Sequence, residues 1–216
     1  MDNQKQQLFE WKDLYWGIAI ALLFACIIRL SFAELYNVPS ESMKPILQKE
    51  DMIVVSKMAF SFGVSGEILG LEIPQNLRIT WNTPKKNDII VFKAPAIALK
   101  DFPPISETVY FVKRIAYGPG DINPIHNQII PYKGMKLDKN DHFWKQFILE
   151  DSKQASISMV NKEYIVQHNY YYVLGDNSEQ SFDSRYWGLI QEESIMGKPI
   201  IICWSKNSSR IGHFIK

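Results

Sequence analysis

The chain has 216 residues, with 24 basic against 23 acidic side chains and 46% hydrophobic residues. This length suits one domain, or one domain with a membrane anchor, and is sufficient to bury a sizeable core. The balanced charge leaves no basic footprint for a nucleic-acid partner. The four histidines and two cysteines lack the spacing of a zinc site, so we expect a metal-free protein.

The first element is the single long apolar run, LYWGIAIALLFACIIRLSFA. About 20 apolar residues cross the hydrocarbon core of a bilayer once. Arg29 favours the alternative of a buried core helix, but it lies near one end, where its side chain can reach the headgroups. We therefore predict a transmembrane helix at residues 14–35. Lys5 and Lys12 precede it, which predicts a cytoplasmic tail at residues 1–13 and an exported body.

Two serines follow this run directly, in the segment VPSESMKP. Taken alone, Ser40 and Ser42 are ordinary turn serines. A serine becomes a nucleophile only when a neighbouring base takes its proton, so the sequence must supply that base. Spacing singles out no histidine, and the G-x-S-x-G nucleophile elbow is absent. The S-x-x-K pattern also fails, because Glu41 stands three residues before Lys44.

From residue 36 onward, the chain has short segments rich in β-branched and aromatic residues, which predict a mostly β body. Gly63–Thr83 has the pattern of a hydrophobic hairpin close to the anchor. Residues 122–168 are more polar and less regular, which indicates a smaller inserted lobe. The predicted strands are Asp51–Val55, Asn87–Lys93, Thr108–Ala116, Tyr170–Leu174 and Pro199–Trp204.

The strand Thr108–Ala116 contains the best candidate for the base, Lys113. Apolar surroundings, with Arg114 nearby, would lower the pKa of this lysine from about 10.4 toward neutrality. Strand alternation puts Lys113 and Arg114 on opposite faces, so one cation can be buried while the other pairs with an acid. Both faces are apolar, and periodicity does not say which is buried. Lys44, before Pro45 in a charged turn, is expected to stay an ammonium.

Five ordered segments resemble the boxes of bacterial type I signal peptidase, the membrane-bound Ser/Lys endopeptidase that removes secretory signal peptides. They are VPSESMKP, DMIVVSK, KKNDIIVF, YFVKRIAYGPGD and GDNSEQSFDSRYWG. The resemblance runs from the anchor to about residue 198. It implies a mostly antiparallel β-sheet catalytic domain at residues 36–216, on the outer face of the plasma membrane, that needs no cofactor and contains the smaller lobe at about 122–168.

The resemblance also implies roles for individual residues. Ser42 matches the nucleophile, and Lys113 matches its general base. Ser40 matches the hydroxyl that forms the oxyanion hole together with the backbone N–H of Ser42.

A supporting group is implied around the lysine. Ser181 matches the serine that orients the lysine ammonium, while Asp183 and Arg185 match a structural ion pair, with Arg114 as further support. The sequence departs from the family pattern where Ser178, Glu179 and Gln180 replace an R-D-N run, and Glu41 stands where glycine is frequent.

The expected partners are secretory signal peptides and the lipid bilayer. A signal peptide pairs as an extended strand with an exposed edge, for which Tyr36–Ser40 and Tyr110–Lys113 are candidates. Bulky side chains there would admit only small ones, which is the Ala-x-Ala preference that the resemblance implies. The residues predicted to bind substrate are Tyr36, Val38, Met43, Leu47, Tyr110, Phe111 and Val112.

Two rival functions remain open. One is a soluble self-cleaving Ser/Lys repressor, although no DNA-binding domain is recognisable in the sequence. The other is a non-catalytic or specialised membrane-anchored β-domain that acts as a binding module. The presence of Ser42, Lys113, Ser181 and Asp183 together argues against loss of catalysis.

Overall fold

The computed structural model describes residues 14–22, 32–62, 67–68, 71–72, 79–100, 108–124, 127–138, 144, 147 and 163–216. Residues 14–22 form a helix, α1. A second helix, α2, spans Ser184–Trp187. The strands are β1 (Ala33–Asn37), β2 (Met52–Ser56), β3 (Ser61–Phe62), β4 (Glu67–Ile68), β5 (Leu71–Glu72), β6 (Ile79–Thr80), β7 (Ile89–Lys93), β8 (Tyr110–Tyr117), β9 (Ile122–Asn123), β10 (Gln128–Ile129), β11 (Lys136–Asp138), β12 (Glu163–Ile165), β13 (Tyr170–Leu174), β14 (Ile190–Gln191) and β15 (Ile195–Trp204).

Seven strands form the main sheet in the order β1-β2-β15-β7-β8-β13-β14. Every neighbouring pair in this sheet is antiparallel, which confirms the mostly antiparallel β prediction. The five predicted strands correspond to β2, β7, β8, β13 and β15, with ends displaced by a few residues. Single-turn 3₁₀ helices at Lys57–Ala59, Ala96–Leu99, Ser178–Gln180, Glu192–Ser194 and Ser208–Arg210 complete the described elements.

The main sheet has a core on each face around β7. Ile90 and Phe92 pack in one hydrophobic cluster, whereas Ile89 and Val91 pack in a second cluster on the other face. All four side chains are at most 2% exposed. A strand buried on both faces reads as a continuous hydrophobic run, which explains the sequence IIVF in β7. The next strand, β8, therefore lies in the middle of the domain.

The predicted hairpin and lobe are described in part. In the hairpin, β3 pairs with β6 and β4 pairs with β5. Within 122–168, β9 pairs with β10 and β11 pairs with β12. A third hydrophobic cluster joins this region to Tyr170 and Tyr172 of β13. Most of residues 139–162 lie outside the described residues, so a separate lobe stays a prediction.

The predicted anchor is also described in part. Helix α1 occupies its first half, and in the stretches that the structure describes no helix is long and apolar enough to cross a bilayer. The tail at 1–13 and residues 23–31 lie outside the described residues. Residues 33–35, which the sequence placed at the end of the anchor, instead form the start of β1. They belong there because the whole strand pairs in register with β2, from Ala33 opposite Ser56 to Asn37 opposite Met52.

The turn after β1 is fixed at both of its ends. The Val38 N–H donates to the carbonyl of Asp51 at 2.9 Å, and the Glu50 N–H donates to the carbonyl of Val38 at 2.7 Å. From the C-terminal segment, Arg210 donates to the Asp51 carboxylate at 2.8 Å and to the Ile46 carbonyl at 2.7 Å. Residues 40–47 are thereby held as one rigid turn against the sheet.

Candidate active site

Ser42 lies in this turn, and its hydroxyl reaches the middle of β8. The Lys113 Nζ is 2.6 Å from the Ser42 Oγ, within hydrogen-bond distance. Lys113 pairs with Ile90 of β7 across the sheet. Lys113 is only 4% exposed and Ser42 only 5% exposed. Lys113 and Ile115 are thus the buried positions of β8, which answers the question that strand periodicity left open.

Burial changes the acidity of Lys113. Removal from water lowers its pKa from 10.5 to about 8, because the buried site penalises the charged ammonium. The negative charge of Asp183 opposes this effect, and the positive charge of Arg185 adds to it. From the sequence, we expected the nearby positive charge that helps to lower the pKa of Lys113 to be that of Arg114. Arg114 instead forms a two-point ion pair with Asp176, with both N–O distances at 2.8 Å.

Asp183 organises the loop that follows β13. Its carboxylate is fully buried and accepts hydrogen bonds from the Ser181 hydroxyl at 2.7 Å and from the Gly175 N–H at 3.0 Å. Arg185 pairs with the same carboxylate at 2.8 and 2.9 Å. Burial alone would raise the pKa of Asp183, but the hydrogen bonds from Arg185 and Ser181 outweigh burial and lower it. The ion pair expected from the sequence is therefore present.

Ser181 has a different immediate partner from the one expected. Its hydroxyl donates to Asp183, while the Lys113 Nζ has its hydrogen bond with the Ser42 Oγ. Across the described part of the chain, no direct hydrogen bond joins Ser181 to Lys113. A lysine-orienting role for Ser181 therefore stays a prediction.

Gly175 brings this loop into contact with Ser42. A methyl group on Gly175 would overlap the Ser181 hydroxyl and would lie 2.5 Å from the Ser42 carbonyl oxygen. Real Cβ atoms do not approach other atoms so closely, so the loop and the nucleophile turn meet at a point where only glycine fits. This packing holds Ser181 beside Ser42.

The Ser40 hydroxyl lies next to the Ser42 hydroxyl. It donates to the Ser42 Oγ at 3.2 Å, and the Ser40 side chain is exposed. The hydroxyl of Ser40 and the backbone N–H of Ser42 are the two donors that the sequence predicted for an oxyanion. The arrangement places a buried amine on one side of the Ser42 Oγ and a hydroxyl donor on the other.

Replacement of the R-D-N run removes an arginine that could pair with Glu41 or Asp176, but both acids have other partners. Glu41 forms an ion pair with Lys44 at 2.7 Å, and Asp176 pairs with Arg114. Neither acid therefore depends on the arginine that the loop lacks. Lys44, close to Ser42 along the chain, directs its ammonium to Glu41.

One contact escaped the sequence reasoning, which gave Asn177 no role. Its backbone N–H donates to the Ser42 carbonyl at 3.0 Å, and its side-chain amide donates to the Glu41 carbonyl at 3.2 Å. The sequence offered only its place in the G-D-N triplet after β13. Hydrogen bonds to a distant backbone leave no pattern in a sequence.

The residues predicted to bind substrate occupy two environments. Tyr36 and Tyr110 are in edge-to-face contact, with ring centroids 5.1 Å apart, and both are partly buried. Val112 packs with them against the second cluster, whereas Phe111 packs on the first. The other three are in the core, where Val38, Met43 and Leu47 are 2%, 1% and 0% exposed. Contact of any of them with a peptide stays a prediction.

One edge of β8 is open beside the site. Pairing of β13 with β8 ends where Leu174 meets Arg114. Residues 110–113 of β8 pair with β7 and have no strand on the opposite side among the described residues. No group of three potential metal-binding side chains occurs in the described ranges either.

Comparisons with known proteins agree on one family. The family model described as "Signal peptidase, peptidase S26" matches residues 11–204. The "Signal peptidase I" of Buchnera aphidicola subsp. Baizongia pistaciae is 28% identical, over 84% of this chain and 73% of the relative. The protein of the same name from Leptolyngbya laminosa is 26% identical, over 88% of this chain and 78% of the relative.

A plant relative extends this set. The "Thylakoidal processing peptidase 1, chloroplastic" of Arabidopsis thaliana is 30% identical, over 94% of this chain and 50% of the relative. Because the family model covers most of the sequence and the bacterial relatives align over most of their length, the chain belongs to the signal peptidase family, peptidase S26, and is an enzyme of the signal peptidase I type.

Proposed function

We propose that this protein is a membrane-anchored serine endopeptidase that cleaves N-terminal signal peptides from exported preproteins after small residues. Ser42 is the nucleophile and Lys113 is the general base. The observation that carries the proposal is the buried 2.6 Å hydrogen bond between these two side chains. It supplies the pairing of a weak nucleophile with an adjacent base that acyl transfer by serine requires.

Proton transfer between the two side chains accounts for both halves of the reaction. The neutral amine of Lys113 takes the hydroxyl proton of Ser42 while the Oγ bonds to the scissile carbonyl carbon, whose π electrons move to oxygen. The new ammonium then protonates the leaving nitrogen as the C–N bond breaks, which leaves an ester on Ser42. In the second half, Lys113 takes a proton from a water molecule whose oxygen bonds to the ester carbon. The ammonium then protonates the Ser42 Oγ as the ester C–O bond breaks, and the peptide acid leaves.

Charge that develops on the carbonyl oxygen needs donors. The two donors are the Ser42 backbone N–H and the Ser40 hydroxyl, and rotation about the Ser40 C–O bond redirects its proton from the Ser42 Oγ to the oxyanion. The Ser181 hydroxyl donates a hydrogen bond to Asp183, so the lone pairs of the Ser181 oxygen can accept one from the Lys113 ammonium. Ser181 then guides the ammonium between its two proton-transfer partners.

The open edge of β8 suits an extended peptide. Main-chain pairing along residues 110–113 brings the scissile bond to the end of this open stretch of β8, beside Lys113 and Ser42. Tyr36, Tyr110 and Val112 fill the space next to this edge and limit the side chains of the peptide to small ones. The names of the relatives, signal peptidase and thylakoidal processing peptidase, agree with a substrate of this kind.

Helix α1 supports attachment to a membrane. Its residues are apolar and exposed all round, including Trp16, which is 70% exposed, and Leu22, which is 62% exposed. A helix that is hydrophobic on every side requires a hydrophobic environment. We propose that it begins a single span with a cytoplasmic N-terminus and an outer catalytic domain.

The main sheet also presents an exposed row of apolar side chains. Leu35 pairs with Val54, Val54 with Ile201, and Ile201 with Phe214, so these four side chains form one row on the face opposite the second cluster. Leu35 is 60% exposed and Phe214 is 69% exposed. Because β1 follows the span directly, we propose that this face rests on the bilayer and keeps Ser42 close to the membrane surface.

The proposal distinguishes two lysines near the nucleophile. Lys113→Met removes the base but keeps an apolar side chain of similar length, so cleavage of a preprotein by the detergent-solubilised protein should be abolished. Ser42→Ala should have the same effect. Lys44→Met, the matched control, removes only a half-exposed ion pair and should retain most activity, because such pairs contribute about 0 to 1 kcal/mol. Cleavage is followed by gel shift, and mass spectrometry maps the cut.

A Lys113→Met protein that still cleaves at a comparable rate would contradict the assignment. So would a Lys44→Met protein that is inactive although folded. A binding module without catalytic function predicts no cleavage by the wild type itself.

The rate should depend on pH through Lys113. Only the neutral amine accepts a proton, so kcat/KM should fall about tenfold for each pH unit below a pKa of about 8 and level off above it. The measurement is kcat/KM from pH 6 upward on a substrate without titratable groups near the cut. The Lys44→Met variant should show the same limb, and a limb near pH 6.5 would point to a histidine instead.

The glycine beside the nucleophile gives a geometric test. Gly175→Ala should reduce kcat by at least about tenfold, since the added methyl pushes Ser181 and the Ser42 backbone apart. Gly118→Ala is the matched control, because its methyl would be 3.6 Å from the Tyr171 ring, at ordinary contact distance. Steady-state kinetics and the melting temperature are measured together. Equal activity of the two variants would mean that this close packing has no part in catalysis.

A further inference from the structure

Asn177 holds the backbone on both sides of the nucleophile. Its own N–H donates to the carbonyl of Ser42 at 3.0 Å. Its side-chain Nδ2 donates to the carbonyl of Glu41 at 3.2 Å. The two peptide groups that flank the Ser42 α-carbon therefore each have a hydrogen bond to the same residue of the loop after β13.

The bond to Glu41 has a consequence at the opposite end of its peptide group. A trans peptide is planar, so the carbonyl oxygen of Glu41 and the N–H of Ser42 point in opposite directions. That N–H is one of the two donors in the proposed oxyanion hole. A donor fixed on the Glu41 oxygen thus sets the direction of the Ser42 N–H, and it also polarises the peptide so that this N–H is a stronger donor.

We propose that Asn177 is a positioning residue for the oxyanion hole: its side-chain amide, acting through the Glu41–Ser42 peptide, aims the Ser42 N–H at the transition-state oxygen. This inference rests on the proposed function. Asn177 itself touches neither the substrate nor the reacting atoms. Its contribution is greatest in the transition state, where the negative charge on oxygen is largest.

The surroundings of Asn177 determine how its amide is oriented. Gln180 accepts from the same Nδ2 at 3.2 Å, and the backbone N–H of Gln180 donates to the Asn177 carbonyl at 3.1 Å. The amide nitrogen is therefore directed toward Glu41 by a residue from the run that departs from the family pattern. The Glu41 carbonyl also accepts from the Lys44 N–H at 3.1 Å, inside the nucleophile turn. Experiment must separate the effect of Asn177 from that of the turn.

The test compares Asn177→Ala and Asn177→Asp with the wild-type full chain in detergent micelles, using a preprotein substrate. Aspartate has the same shape, but its carboxylate only accepts hydrogen bonds and cannot donate to Glu41. We expect kcat to fall about tenfold in both variants, as for the loss of one supporting donor, with KM within about twofold. The acid limb of kcat/KM in Asn177→Ala should stay at the wild-type pH, because that variant adds no charge near Lys113.

Two further measurements separate positioning from a general structural role. A peptide aldehyde ending in alanine, which adds to Ser42 and places its oxygen in the oxyanion hole, should bind about tenfold more weakly to Asn177→Asp. The corresponding peptide acid should bind equally well. Asn82→Ala is the matched control, since the Asn82 side-chain amide also donates to a backbone carbonyl, that of Ala59 at 3.4 Å, and its loss should leave kcat unchanged.

An unchanged kcat in folded Asn177→Ala and Asn177→Asp would overturn the inference and show that the nucleophile turn alone aligns the peptide. A displaced acid limb in Asn177→Ala would overturn it too, because Asn177 would then act through Lys113. Failure of the proposed function has a separate signature. In that case Ser42→Ala and Lys113→Met would still cleave the preprotein, whatever Asn177 does.

Discussion

The burial of one lysine amine against one serine hydroxyl is the constraint on which the rest of this structure depends. A pKa lowered from 10.5 to about 8 corresponds to about 3 kcal/mol of penalty on the Lys113 ammonium. The domain must supply that free energy from its packing. Lys113 lies on β8, next to β7, which is buried on both faces, so the lysine is held where the core is most extensive.

The charges around this lysine are paired with one another. Asp183 is matched by Arg185, Asp176 by Arg114 and Glu41 by Lys44. An unpaired carboxylate beside Lys113 would stabilise the ammonium and raise its pKa, which would remove the neutral base. The ion pair of Asp183 with Arg185 thus has a function beyond stability, because the positive charge of Arg185 offsets part of the effect of Asp183 on the pKa of Lys113.

Much of the fold could be predicted from the sequence because its signals are local. Short runs of β-branched and aromatic residues predicted five strands of the main sheet. The order of the five segments that resemble signal peptidase predicted that Ser42 and Lys113 act together. The start of β1 was missed, since Ala33 and Leu35 are as apolar as the run before them, and only pairing with β2 reveals the strand. Periodicity also left the buried face of β8 open, because both of its faces pack against hydrophobic clusters.

The site was less predictable where it depends on tertiary contacts. The sequence does not distinguish Arg114 from Arg185 as the cation near Lys113. The structure shows that Arg185 is the arginine whose charge adds to the effect of burial and lowers the pKa of Lys113. Val38, Met43 and Leu47 were expected in a substrate pocket, yet their side chains are almost fully buried in the core. The contacts of Asn177 with Glu41 and Ser42 join segments far apart in the chain, and no local pattern encodes them.

The most direct test of this account is the titration of Lys113 itself. NMR spectra of the detergent-solubilised protein with 13C-labelled lysine follow each side chain with pH, and the Lys113→Met variant identifies the resonance. The account predicts a midpoint near pH 8 for Lys113. A midpoint above about pH 10, the usual range of an exposed lysine, would leave only about a thousandth of Lys113 neutral at pH 7, instead of about a tenth, and would contradict its role as the base.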